Sequence, residues 1–343
     1  MAIPYRTRRA LRRLGIAAVV LLLIAVVAWM CGVIWLERYI VYSSDGAKLD
    51  FSLSHDFAGG QVAVEPEKET VSIYYNEGNN VIQLSTELEQ LSGYYADTEA
   101  LTAGIDQVRA QIQTLDGETP IMLDVKHEKG YFYYSTSVGS STYDSKLDIA
   151  AMDQLIADLA KSEHYLIARI PALREYDFIF LDANSKYNGL DSTRGEGYLW
   201  IDNGAYWLDP TTSGTLTYLI QIVTELRELG FDEVVLDEFR FPETDKVLFT
   251  ADKSKSLTDA AATLVSACST DNFCVSFVQA NTAFTLPEGR TRVYLKDVAA
   301  TDAASKAESF GLEDPAVRVV FISESNDTRY DDYGILRPLD AAH

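Results

Sequence analysis

Gly230-Phe231-Asp232-Glu233-Val234-Val235-Leu236-Asp237-Glu238-Phe239-Arg240-Phe241-Pro242 is the stretch on which the fold reading rests. Glu233 to Leu236 is short, β-branched and apolar, as a strand buried on both faces should be. A helix-period segment, Leu216 to Leu229, feeds it and ends at Gly230. Asp237, Glu238 and Arg240 then fall where the strand must stop, because Pro242 has no amide hydrogen to continue a ladder. In parallel α/β folds the carboxyl ends of the strands form the ligand face. These three charged residues therefore stand where chemistry is usually done.

Outward from this stretch, strands and helices alternate. Gly93-Tyr94-Tyr95, Pro120 to Val125 and His164 to Ile170 are predicted strands on the amino side, and Phe273 to Val278, Arg292 to Leu295 and Val317 to Ile322 on the carboxyl side. With Glu233 to Leu236 they make seven strand candidates. Leu101, Ile105, Val108, Ile112 and Leu115 recur at helical spacing, as do Ile149, Met152, Leu155, Ile156 and Leu159. Further helices are expected over Leu257 to Ala267 and around Ala303 to Phe310. Residues 172–212 are too long for a simple connection, and loops of that length are usually functional or carry structure of their own. This one is rich in aromatics, among them Tyr176, Phe178, Phe180, Tyr187, Tyr198, Trp200, Tyr206 and Trp207.

The amino terminus reads differently. Arg6, Arg8, Arg9, Arg12 and Arg13 precede an uncharged apolar run from Gly15 to Leu36. Such a run is long enough to span a bilayer, which takes about 20 residues, and arginines on its amino side place that side in the cytoplasm. The expected organisation is a basic tail (1–14), a transmembrane signal anchor (15–36), a polar stalk (37–70) and a folded body (71–343) outside the cell membrane. A hairpin is predicted from Val71–Tyr75 and Val81–Leu84. The net charge of -22 argues against nucleic acid, which needs a basic face.

Cys31 lies inside the apolar run, and Cys268 and Cys274, six residues apart, are a disulfide candidate in an oxidising compartment. His55, His127, His164 and His343 show no metal-ligand spacing, so neither metal nor cofactor is expected. Signatures of nucleophilic serine, phosphate-loop, dinucleotide and zinc-protease chemistry are missing from the chain.

The central stretch resembles the signature G-F-D-E-I-x-F-D-Y-x-R-F-P of a bacterial glycosyl hydrolase-like family with a (β/α)8-barrel domain. Leu123-Asp124-Val125-Lys126 with Gly130 resembles that family's I-D-V-K-D-x-x-G, Tyr165 to Pro171 its next strand, and Trp207-Leu208-Asp209-Pro210 its W-x-(D/N)-P. The resemblance covers about Gly93 to Pro242. Glu238 departs from it, standing where the family has tyrosine. The resemblance implies a barrel fold, carbohydrate as ligand and hydrolysis of glycosides, with Asp237 and Asp124 on family positions.

Glycoside hydrolysis needs two carboxyl groups across the scissile bond. Asp237 is the first candidate, and Asp124, Glu238 and Glu324 are candidates for the second. Adjacent strand residues point to opposite faces, so Asp237 and Glu238 cannot both face the axis of a strand that stays regular through them. Lys126, Arg169, Trp200, Trp207 and Arg240 are the candidate substrate-binding residues. The fold expectation is α/β: a TIM-type (β/α)8 barrel, complete or degenerate in its C-terminal half, behind one transmembrane helix. The functional expectation is hydrolysis of an extracellular or cell-wall polysaccharide. The alternative is an inactive barrel that binds wall glycan or an envelope protein.

Overall fold

The computed structural model describes residues 40–43, 46–49, 88–138, 147–175, 189–193, 198–279 and 282–342. The expected basic tail, membrane span and 71–84 hairpin lie outside them, as do Cys31 and the aromatics from Tyr176 to Tyr187. Among the described residues, no helix is long and apolar enough to cross a membrane. Two compact units are distinguished, Met1–Asn80 and Val81–His343. In the first, Ile40–Ser43 and Gly46–Leu49 pair antiparallel, so part of the expected stalk forms a hairpin.

The second unit holds a closed barrel of eight parallel strands. They are β1 (Ser92–Ala96), β2 (Ile121–Asp124), β3 (Leu166–Pro171), β4 (Glu233–Asp237), β5 (Cys274–Val278), β6 (Val293–Lys296), β7 (Val319–Ile322) and β8 (Gly334–Pro338). Each pairs with its sequence neighbours, and β8 pairs with β1 to close the ring. The C-terminal half is therefore complete. The eighth strand, Gly-Ile-Leu-Arg-Pro, escapes pattern reading because glycine, arginine and proline leave only two apolar residues in it.

Side chains alternate between two environments. Met122, Ile167, Val235, Tyr294, Val320 and Leu336 face inward and fill the barrel. Their neighbours Leu123, Ala168, Val234, Leu236 and Val275 face outward into the layer under the helices. That layer is closed by α1 (Thr98–Ala103), α2 (Ile105–Ile112), α3 (Ile149–Leu159), α4 (Ser213–Glu228) and α5 (Lys253–Cys268), with shorter helices after β6 and before β7. Helix α4 is started by Thr212, whose hydroxyl accepts from Thr215 N, and buries Tyr218, Leu219, Ile222, Val223 and Leu226. Gly230, with φ 97°, turns the chain from α4 into β4. A Cβ there would lie 2.6 Å from the Ala160 Cβ, so both conformation and space require glycine.

The floor of the barrel carries a buried polar cluster. Glu233 Oε2 lies 2.5 Å from Arg292 Nη1 and accepts from the Tyr165 hydroxyl at 3.1 Å. Cys274 Sγ lies 3.3 Å from Ser276 Oγ in the same inward-facing row. Cys268, by contrast, packs outside the sheet on the buried face of α5. The expected disulfide is thus corrected: both cysteines are free thiols, because β5 separates an inward from an outward side chain.

The long connection between β3 and α4 builds a small sheet of its own. Arg174–Glu175, Ala205–Trp207 and Ile201–Asp202 form three antiparallel strands. Asn203 and Gly204, both at positive φ, make the tight hairpin turn. Asp191–Ser192 pairs with Val247–Leu248, tying this connection to the loop after β4.

Candidate active site

Strand β4 delivers Asp237 at its last position, and there the ladder stops. Asp237 O accepts from Ala172 N, and Asp237 Oδ1 from Glu238 N at 2.8 Å. Glu238 then takes a left-handed backbone, φ 51°, which is uncommon for a residue with a side chain. That single conformation breaks the alternation expected of a regular strand. Asp237 and Glu238 consequently line the same cleft, of about 280 Å³, at the carboxyl end of the barrel.

The other walls come from strand ends around the ring. Lys296, the last residue of β6, places Nζ 2.7 Å from Asp237 Oδ2. Arg169 on β3 stands opposite Asp124 on β2 and grips it with two hydrogen bonds, Nε to Oδ1 at 2.6 Å and Nη2 to Oδ2 at 2.8 Å. Burial works against the charge of Arg169, but the Asp124 carboxylate, with Asp237 beyond it, holds its pKa above the ordinary value. Asp124 Oδ2 also accepts from Thr98 N at 2.9 Å and lies 3.2 Å from the Thr98 hydroxyl, at the start of α1. Asp124 is therefore present at the mouth but spent on a buried, four-way contact. It braces the site rather than offering a free carboxylate.

Glu238 turns to Arg240, whose Nη2 lies 2.8 Å from Glu238 Oε2. Arg240 in turn stacks on Trp207, with Arg174 also in reach of that indole, at 5.1 and 5.3 Å from ring centre to guanidinium carbon. Trp207 is buried, so the expectation that it presents a face to substrate is corrected: its ring holds Arg240 in place. Trp200 is half-buried and packs against the outer core. Arg240, with 42% of its side chain exposed, keeps open surface for a ligand.

Lys126 is a second correction. Its side chain is fully buried, with Nζ 2.8 Å from Glu175 Oε2 and the rings of Phe132 and Tyr218 nearby. Tyr218 on α4 donates to the same carboxylate. Lys126 lines the cleft, but its ammonium is held by Glu175, and the pair pins the start of the β3–α4 connection. Glu324 is a third: it is exposed and lines a separate cleft of about 600 Å³ with Tyr95, Asp97 and Asp340. Burial first, then the charges of Asp97 and Glu324, push the Tyr95 hydroxyl above its usual pKa.

Residues not anticipated complete the mouth. Thr98, His127, Glu128 and Lys296 share the cleft with Asp237. His127 Nδ1 accepts from Lys129 N at 2.9 Å in a tight turn closed by Gly130, φ 98°. Strand parity could have found Lys296, two residues after inward-facing Tyr294 and four after Arg292. Glu128 could have been found as the first acidic residue past the end of β2, four positions after Asp124. Among the described residues, no cluster of histidine, cysteine and carboxylate side chains is arranged to hold a metal ion.

The sequence family described as "Putative glycosyl hydrolase domain" matches residues 95–273, more than half of the chain, and the chain belongs to that family. No curated protein matches it. Among solved structures, a hypothetical protein from Ruminiclostridium thermocellum is similar over 54% of this chain and 96% of its own, at 21% identity and TM-score 0.41. The glycoside hydrolase domain of PelA from Pseudomonas aeruginosa is similar over 75% and 97%, at 11% identity and TM-score 0.42. A variant of the GH36 alpha-galactosidase AgaA from Geobacillus stearothermophilus, in complex with raffinose, is similar over 74% of this chain and 39% of its own, at 8% identity and TM-score 0.50. At such identity the likeness to the galactosidase is one of fold.

Proposed function

We propose that this protein hydrolyses glycosidic bonds of an extracellular or cell-wall polysaccharide, with Asp237 as one carboxylate of the catalytic pair. One observation carries the reading: Asp237 opens into a cleft at the carboxyl face of the barrel with both oxygens engaged by donors, Lys296 Nζ and Glu238 N. A carboxylate oriented in this way can attack the anomeric carbon or take a proton from water. Lys296 in the cleft and the part-exposed guanidinium of Arg240 are available to sugar hydroxyls. The test is release of new reducing ends when the purified full chain is incubated with wall polysaccharide. Persistent absence of release across wall glycans would sink the reading.

The anchor belongs to the same proposal. Five arginines before an uncharged run of membrane-spanning length support a cell-membrane protein with its barrel outside. Protease applied to intact cells should then remove the barrel; survival of the barrel beside a digested control ectodomain would contradict this.

A second reading, a barrel that binds wall glycan without cleaving it, is favoured by one feature. Asp124, Asp237 and Glu238, three of the four carboxylates lining the cleft, are each matched by a cation. Glycan binding with no turnover would select it.

A further inference from the structure

We infer that the proton donor of this site is Glu128, on the loop after β2, and not Glu238 beside Asp237. The inference rests on the glycosidase reading above and assigns the partner carboxyl that reading requires.

Four carboxylates line the cleft: Asp124, Glu128, Asp237 and Glu238. A general acid must bring a free carboxyl oxygen to the glycosidic oxygen, and a carboxylate whose oxygens are held by a cation is not free to do so. Arg169 grips Asp124 with two hydrogen bonds, and Lys296 holds Asp237 at 2.7 Å. Glu238 Oε2 forms an ion pair with Arg240 Nη2 at 2.8 Å, without hydrogen-bond geometry, and Trp207 fixes that guanidinium from behind. Glu128 alone of the four has no hydrogen bond or ion pair to any of the described residues. It is exposed, on a turn whose backbone is set by the Lys129 N to His127 Nδ1 bond and by Gly130 at positive φ. Its carboxyl is thus free to meet the glycosidic oxygen of a sugar seated in the cleft.

In the balanced reaction the Glu128 carboxyl gives its proton to the glycosidic oxygen as the bond from that oxygen to the anomeric carbon breaks. The bonding electron pair leaves with the oxygen, and the leaving group departs as an alcohol. One water supplies the hydroxyl that the anomeric carbon gains, and its remaining proton returns to the carboxyl pair. Asp237 acts on the opposite side, as nucleophile or as the base that activates that water.

The experiment compares Glu128→Gln, Glu238→Gln and Asp237→Asn in the full chain on a panel of hexosides. Each sugar is offered as a methyl glycoside and as a 2,4-dinitrophenyl glycoside, whose leaving group departs without protonation. Glu128→Gln is expected to lose about 100-fold or more in kcat/KM on methyl glycosides and less than about 10-fold on dinitrophenyl glycosides. A merely structural role would lower both equally. The same leaving-group dependence in Glu238→Gln, with equal losses or none in Glu128→Gln, would overturn the assignment while leaving the glycosidase reading intact. Asp237→Asn that keeps wild-type turnover, or an unmutated chain that cleaves none of the panel, would overturn the glycosidase reading and the assignment with it.

Discussion

The two ends of this barrel are built from the same chemistry and differ in what seals them. At the floor, Glu233 and Arg292 form an ion pair with side chains 0% and 1% exposed. Arg292 also donates to Val317 O and Glu89 O, and Tyr165 bridges to Glu233. Burial and the Glu233 charge push the Tyr165 hydroxyl and the Cys274 thiol up, the thiol to about 12. At the mouth, on the same strand β4 four residues later, Asp237 meets Lys296 with the lysine 36% exposed. The floor is a closed network that fixes the strands against one another. The mouth keeps its charges within reach of water and of a ligand. Burial, not residue type, separates a brace from a site here.

That contrast can be broken or sharpened by substitution. The largest effect is expected at the floor. Glu233→Ala leaves Arg292 charged and unmatched, a change that costs about 3–5 kcal/mol, whereas Lys296→Met at the mouth should cost less than about 1 kcal/mol. Thermal unfolding of the two variants measures the difference, and similar melting temperatures would erase the distinction. Lys126 separates position from burial, since it lines the cleft yet its pair with Glu175 is sealed. Lys126→Met should therefore follow the floor, with a loss of about 3 kcal/mol or more; a loss as small as that of Lys296→Met would show that position, not burial, decides.

A smaller, local effect is expected at Glu225 on α4. Its half-buried carboxylate accepts from Tyr134, Thr136 and Ser137, pinning the loop after β2. Burial alone would raise its pKa, but these hydrogen bonds outweigh burial and lower it. The sign follows: a lowered folded value gives stability that is full above the ordinary glutamate pKa of about 4.3 and is lost as pH falls through the folded value. Amide exchange at Ser137, corrected for intrinsic rates, should speed up below about pH 4, and Glu225→Gln should remove that step. An unchanged step in the variant would assign it elsewhere. The smallest expected effect is none: reductant should not alter the melting temperature, and Cys274 should alkylate only on unfolding. A reductant-sensitive melt would restore the disulfide.

Much of this architecture is legible in the residues because burial on both faces leaves a plain mark. Glu233 to Leu236 and Val317 to Ile322 announce strands by β-branched density, and Pro171 and Pro242 announce where chains must leave the sheet. Strand β8 leaves no such mark, since its closure of the ring depends on pairing with β7 and β1 rather than on its own composition. At the site, Asp237 was legible as a strand-end carboxylate. The company of Glu238 was not, because it hangs on one left-handed backbone angle at a non-glycine residue. Trp207 and Lys126 were misjudged for a common reason: an indole or an ammonium near a ligand face reads the same in sequence whether it points outward or is enclosed by Arg240 or Glu175.

The account stands or falls on Asp237. Asp237→Asn should lower glycan turnover by at least about 100-fold while the melting temperature stays within about 2 °C of the unmutated chain. A melting temperature several degrees lower with turnover retained would make Asp237 a structural partner of Lys296, and the mouth would then be a second brace rather than a site.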